Sequence, residues 1–169
     1  GIMQERAWQK PLLDQADLVV DTSELRVHDL RRTIESSIHP DPTKNKLSIT
    51  LLSFGFKNGI PREADMVLDA RFLHNPHWVP ALKAMTGLDA PVQNYIEADA
   101  DFAPFLVQTE GLLDLLLPRY AGEGKYYFTL AVGCTGGQHR SVYLVTRLSQ
   151  WLDEKGYAHT VRHRDLEAN

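Results

Sequence analysis

This sequence predicts an α/β fold, a mostly parallel sheet flanked by helices, and three observations carry the prediction. Apolar runs of strand length alternate with stretches of helical periodicity, the pattern of a helix-covered parallel sheet. The run "ADLVVDTS" (16–23) is apolar without polar alternation, as in a strand buried on both faces. Three strand patterns end in polar or glycine-containing sequence, at Ser53 to Lys57, Asp69 to Arg71 and Gly133 to Arg140. Ligands of parallel sheets sit at such carboxyl ends.

The elements follow in order. After the strand in 16–23, Asp21, Thr22 and Ser23 supply cap residues for a helix from about Leu25 to Ile34. One strand and one or two helices cannot bury their own faces, so this segment either pairs with the rest of the chain or closes a larger domain. "HPDPTKNK" (39–46), with two prolines and no apolar periodicity, reads as a linker and sets a domain boundary at 41/42. "LSITLLSFGF" (47–56) is a strand, "FKNGIPRE" (56–63) a loop and "ADMVLDARF" (64–72) a second strand. "LHNPHWVP" (73–80) is a loop by its prolines, "VPALKAM" (79–85) a short helical turn and "TGLDAPV" (86–92) another loop. Helical periodicity runs from about Pro91 to Ile96 and from Phe102 to Leu117, where Pro118 should stop it. "KYYFTLAVG" (125–133) is the third strand, His139 to Lys155 an amphipathic helix ended by Gly156, and "AHTVRHRDL" (158–166) a fourth strand or extended tail.

With 169 residues, 43% of them hydrophobic, there is enough apolar material for one substantial core. No run approaches the roughly 20 apolar residues of a membrane span. The opening "GIMQERAWQK" lacks the apolar region of a secretory signal, so a cytoplasmic location and no membrane partner are expected. The single cysteine, Cys134, excludes an internal disulfide. A formal charge of -4 does not advertise nucleic-acid binding, but charge is unevenly spread. Between Glu97 and Asp114 there is no Lys or Arg, whereas Arg140, Arg147, Lys155, Arg162 and Arg164, with His139, His159 and His163, give the last thirty or so residues a cationic side. A polyanion would meet that side.

The chemistry concentrates in "AVGCTGGQHRSV" (131–142). Gly133, Gly136 and Gly137 let backbone N–H groups turn inward, and the helix start near His139 adds unsatisfied donors, a combination that favours phosphate. Arg140 would add a bidentate contact. The plainer reading is a strand-to-helix turn whose glycines only permit close packing. Cys134 to Arg140 also fits C-x5-R followed by Ser141, the spacing of cysteine-dependent phosphatases, in which the helix start lowers the thiol pKa for attack. That enzyme reading makes Cys134 and Arg140 catalytic, but Gly133 stands where phosphatases usually place a histidine, and only Asp69 or Asp89 can be nominated as general acid. His74 and His77 flank "NP" at a strand end and suit anion contact, acid–base work or a structural role equally. No His/Cys cluster has metal-ligand spacing, and Walker A is absent.

"SFGFKNGIPREADMVLDARFLHNPHWVPALKAMTGLDAPV" together with "GCTGGQHRSV" resembles the C-terminal domain of the RapZ family, bacterial RNase adapters also called YvcJ-type nucleotide-binding proteins. The resemblance covers about Leu47 to Glu167, and "ADLVVDTSELRVHDLRRTI" resembles the close of the P-loop kinase-like domain that precedes it in the family. It implies that residues 1–41 are the remnant of that domain plus a linker, that residues 42–169 are a phosphofructokinase-like domain, and that ATP or GTP belongs to the missing N-terminal part, leaving no cofactor in this chain. It further implies a non-enzymatic regulator that senses glucosamine-6-phosphate, presents small regulatory RNA to RNase E and forms a homo-oligomer. Carried over by motif, the sugar-phosphate site comprises Lys57, Asp69, His77, Cys134, Thr135, Gly136, Gly137, His139 and Arg140. Enterobacterial members end in a Lys/Arg run, whereas this chain ends "HRDLEAN", so RNA contact falls to Lys155, Arg162, His163 and Arg164.

Overall fold

The computed structural model describes Thr22 and residues 47–166. The strand in 16–23, the helix from Leu25 to Ile34, the linker and the boundary at 41/42 therefore lie outside the described residues. Four strands, β1 (Ser48–Gly55), β2 (Met66–Asp69), β3 (Tyr127–Cys134) and β4 (His159–His163), form one parallel sheet in the order β2-β3-β1-β4. Three helices, α1 (Ala90–Glu97), α2 (Phe102–Gly122) and α3 (Arg140–Glu154), accompany it. The expected α/β class is the one observed.

The strand order dictates what covers each face. From β1 the chain moves past β3 to β2, whereas from β2 to β3 and from β3 to β4 it moves the other way. Right-handed crossovers therefore put α1, α2 and α3 on one face and the 56–65 segment on the opposite one. The core agrees. Ile49, Leu51, Phe128, Leu130 and Val132 point to one side and pack with Val92 and Ile96 of α1, Leu106, Leu113 and Leu117 of α2, and Leu144, Leu148 and Leu152 of α3. The alternate strand residues Leu52, Phe54 and Ala131 form a smaller cluster under Phe56 and Ala64. Each fully buried Leu or Phe contributes about 1.5–3 kcal/mol, so the helical face supplies most of the stability.

Where chain and expectation differ, packing decides. α2 continues through Pro118 to Gly122. Pro118 removes one helical N–H, but Leu117 is fully buried and Tyr120 packs on Phe128 with ring centroids 5.3 Å apart, and those contacts outweigh the loss. The region read as a proline loop contains a 3-10 turn at Pro76–Trp78, where the Asn75 side chain accepts from the His77 amide at 3.3 Å. "VPALKAM" forms hydrogen-bonded turns rather than a helix. β4 ends at His163, and residues 164–166 turn. Among the described residues no helix is long and apolar enough to cross a membrane.

Register aligns the carboxyl ends. Gly55 pairs with Cys134, Asp69 with Gly133 and Ser53 with His163. β1 and β3 are neighbours whose onward connections leave in opposite directions, which is the switch point where such sheets bind ligands. Gly133 lies at the crowded centre: a Cβ there would come within 2.5 Å of the Phe54 and Phe56 rings. We expect Gly133→Ala to cost about 1–3 kcal/mol through overpacking, whereas Gly122→Ala, with nothing within 4 Å, should be neutral or better. Urea unfolding midpoints of the two variants check the contrast, and equal midpoints would contradict the packing.

Candidate functional site

The loop between β3 and α3 is folded by glycine and by its own side chains. Gly137 has φ 77°, in the left-handed region, and a Cβ on it would lie 2.7 Å from the Gly55 amide nitrogen. Gly55 is equally constrained, since its Cβ would sit 2.6 Å from the Gly136 carbonyl carbon. The loop therefore lies directly on the end of β1. The Lys57 amide donates to the Thr135 carbonyl at 3.3 Å, a second tie between the two strand ends. On the other side, Gly87 donates its amide to the Gln138 carbonyl at 2.9 Å, and Gln138 Nε2 donates to the Met85 carbonyl at 2.7 Å. A Cβ on Gly87 would collide with the His139 carbonyl oxygen, so the 79–89 segment packs against the start of α3 as closely as backbone allows.

Arg140 is the first residue of α3 and only 3% exposed. Its two NH1 hydrogens go to the Arg71 and Leu73 carbonyls at 2.8 and 2.9 Å, and NH2 donates to Thr135 Oγ1 at 3.2 Å. Its Nε, and Nε2 of the neighbouring buried His139, have no hydrogen-bond partner among the described residues. Burial pulls the pKa of Arg140 down, opposed by the nearby Cys134 and Asp69. Burial also depresses His139, with His77 and Arg140 acting the same way and the Leu82 and Met85 carbonyls opposing them. Arg140 Nε is thus a buried donor without a partner beside the glycine loop, while the neutral His139 ring presents one donor and one acceptor nitrogen.

Cys134 is buried at the end of β3. Burial pushes its thiol up, but the Ser141 hydroxyl at 3.2 Å, the Ser141 and Gly137 amides and the charge of Arg140 together bring it below its ordinary value. The rest of a phosphatase is not assembled. The Phe54 and Phe56 rings leave no room for a histidine at position 133. Asp69 is held ionised by a bidentate pair with Arg71, whose NH2 lies 2.6 Å away. Asp89 sits at the start of α1 and accepts from the Thr86 amide and hydroxyl at 2.7 and 3.0 Å, which likewise lowers its pKa. Neither nominated acid is poised to protonate a leaving group.

The remaining expected residues divide. Thr135 and Lys57 are at the exposed rim, and His77 and His74 are exposed beyond β2, with His77 near enough to His139 to disfavour its charge. Lys155 pairs with Asp114 at 2.7 Å. Arg164 turns inward, donating to the Gly59 and Gly55 carbonyls at 2.9 and 3.1 Å and to Asp165. His163 Nδ1 meets the buried Ser53 hydroxyl at 2.9 Å. Of the four expected RNA contacts, Arg162 alone is exposed without a structural contact described for it.

Two contributors escaped sequence reading. Arg71 stacks on the Phe56 ring at 4.1 Å besides pairing with Asp69. Its only local signal is the Asp-x-Arg spacing at a strand end. Asp165 is buried and accepts from the Gly55 amide and from Asn58 Nδ2 at 2.9 Å, residues more than 100 positions away. No local pattern marks such a contact. Among the described residues no group of three metal-ligating side chains converges.

Fold and loop define a parallel α/β domain with a glycine-rich loop at the switch point, backed by a buried arginine. Residues 47–167 match the RapZ C-terminal domain. The chain is 53% identical over 99% of its length to a nucleotide-binding protein of Rhodospirillum rubrum, covering 52% of that protein. It is 50% identical to one of Granulibacter bethesdensis over 98% of its length and 51% of the relative, and 46% identical to one of Corynebacterium efficiens over 100% and 54%. The chain belongs to the RapZ family, and it spans about half the length of these relatives.

Asp165 yields a pH prediction. Burial raises its pKa, but Arg164, the Gly55 amide and Asn58 together hold it below the ordinary 3.8. A lowered folded pKa stabilises above the unfolded value and is lost as pH falls through the folded one. Asp165→Asn should therefore be less stable than the parent by a constant margin above about pH 5, a margin that closes as pH drops below 3.8. Urea titrations across that range check it; a margin independent of pH would show that the charge is not what holds the loop.

Proposed function

We propose that this domain is a regulatory binding module that holds the phosphate of an amino-sugar phosphate, glucosamine-6-phosphate, in the 134–140 loop without cleaving it. The observation that carries the reading is Arg140 Nε, a buried donor without a hydrogen-bond partner among the described residues, beside the glycines at the switch point. The loop amides and the Thr135 hydroxyl complete the phosphate contacts, Lys57 adds charge at the rim, and Asp69 and His77 lie toward the sugar. Cys134 lines the site as an acceptor-bound thiol. Absence of turnover is supported by the two nominated acids, both of which are held ionised. The nucleotide in the relatives' names is assigned to their additional length, since this chain carries no Walker A sequence. The whole protein is read as a cytoplasmic adapter presenting small RNA to RNase E.

Calorimetry with glucosamine-6-phosphate tests the module. Arg140→Lys keeps the charge but loses the forked donors, so affinity should fall at least tenfold, about 1.5–3 kcal/mol for a bond to a charged group. Cys134→Ser should bind within a few-fold of the parent. Phosphate release from a generic phosphoester that disappears in Cys134→Ser would instead establish the phosphatase, and unchanged binding in Arg140→Lys would remove the site assignment.

The RNA surface reduces to Arg162. Arg162→Glu should weaken RNA binding and lower the slope of log affinity against log salt by about 1, since each phosphate contact releases counterions. Gel-shift titrations at several salt concentrations measure this, and an unchanged slope would place the RNA elsewhere.

A further inference from the structure

The Cys134 sulfur stands among donors. It accepts the Gly137 amide at 3.3 Å, lies 3.2 Å from the Ser141 hydroxyl, and has the positive charge of Arg140 beside it. Such surroundings favour a thiolate, the nucleophilic form of the side chain. A second observation is independent of the thiol. Arg140, only 3% exposed, keeps a donor at Nε that has no partner among the described residues. Its guanidinium is within bonding reach of the Cys134 sulfur, so that donor stands where an oxygen beside the sulfur would sit.

A thiolate next to a spare donor is the pair that reacts with a hydroperoxide. The sulfur attacks one peroxide oxygen, an S–O bond forms as the O–O bond breaks, and the departing oxygen leaves as hydroxide or alkoxide. Arg140 Nε holds that oxygen until water protonates it. Cys134 is oxidised by two electrons to a sulfenic acid while the peroxide is reduced. Burial restricts the oxidant to small molecules, since Cys134 is 3% exposed. The turn beside it is open at Gly136, where a Cβ would meet nothing within 4 Å. This chain has no second cysteine with which the sulfenic acid could condense. Two equivalents of an external thiol return it to the thiol, with a disulfide and water as products.

We propose that Cys134 is a site of reversible oxidation by hydroperoxides, and that its oxidation closes the 134–140 loop to phosphate. The second half rests on the phosphate reading of the loop given above, because the added oxygen takes donors that the phosphate would use. Hydrogen peroxide added to the full chain together with a 1,3-dione, which traps sulfenic acids, tests the site by mass spectrometry. The trap should appear on Cys134 faster in the folded chain than in urea, and about tenfold more slowly in Ser141→Ala. Inorganic phosphate should protect the parent. Calorimetry with glucosamine-6-phosphate reads the consequence: affinity should fall about tenfold or more after peroxide and return with dithiothreitol. The affinity of Cys134→Ser, whatever its value, should not respond to peroxide. No adduct on Cys134 of the folded chain, labelling no faster than in urea, or an affinity unmoved by complete oxidation would each overturn the proposal. A parent that binds no sugar phosphate before oxidation would sink the proposed function instead, while the labelling and its dependence on Ser141 decide the oxidation site by themselves.

Discussion

Arg140 enters the domain with carbonyls rather than a carboxylate bonded to its guanidinium. Through Arg71, Leu73 and Thr135 it ties together the exit of β2, the start of the glycine loop and the first turn of α3. Carbonyl dipoles offset part of the desolvation of a buried cation, but they leave its charge unneutralised, and such a charge costs several kcal/mol unless paired. Asp69, the nearest carboxylate, is already bidentate with Arg71. The site thus holds a buried guanidinium whose Nε has no partner among the described residues, and its charge is offset in part by Cys134 and Asp69 beside it. The same side chain that builds the loop gives it its electrostatic character.

Glycines make this arrangement physically possible. At Gly55, Gly133, Gly137 and Gly87 a Cβ would overlap backbone, ring or carboxylate atoms. These are positions where two chain segments touch without side chains between them. Gly133 accounts for the most consequential departure from a phosphatase. Its neighbours are the Phe54 and Phe56 rings, themselves capped by Arg164 at 5.4 Å and Arg71 at 4.1 Å. An imidazole at that position would have to displace the aromatic pair, so Cys134 is left with Ser141, Gly137 and Arg140 to lower its pKa. The C-x5-R spacing is therefore met by a loop whose thiol serves as an acceptor.

Apolar runs and glycine-marked strand ends made the sheet legible, because a parallel strand buried on both faces has a continuous apolar signature. The loop was legible for the same local reason: Cys134, the glycines, His139 and Arg140 are consecutive, and so fall together whatever the rest of the chain does. What could not be read were contacts made at long range. Asp165 reaches the Gly55 amide only because β4 pairs beside β1 in a register that brings His163 opposite Ser53. The helix beyond Pro118 was hidden for a related reason. A proline is a local signal against helix, while the burial of Leu117 and the contact of Tyr120 with Phe128 are tertiary. Local propensity yields wherever such contacts are numerous.

Charge shows the same limit more sharply. Along the chain, acid gathers in 97–114 and base in the last thirty residues, which suggests a cationic face for a polyanion. Folding brings those segments together: Asp114 pairs with Lys155, and Glu97 with Arg147 and Tyr143. Arg164 turns to Gly55, Gly59 and Asp165, and Arg140 is buried. Of five basic residues, four are committed to internal contacts, so the charge segregation written in the sequence is largely an instruction for packing α3 against α1 and α2 and for closing β4 onto β1. Exposed pairs of this kind contribute about 0–1 kcal/mol each, so their effect is to orient the elements more than to stabilise them. A polyanion approaching this side meets a surface already neutralised, with Arg162 as its exposed cation.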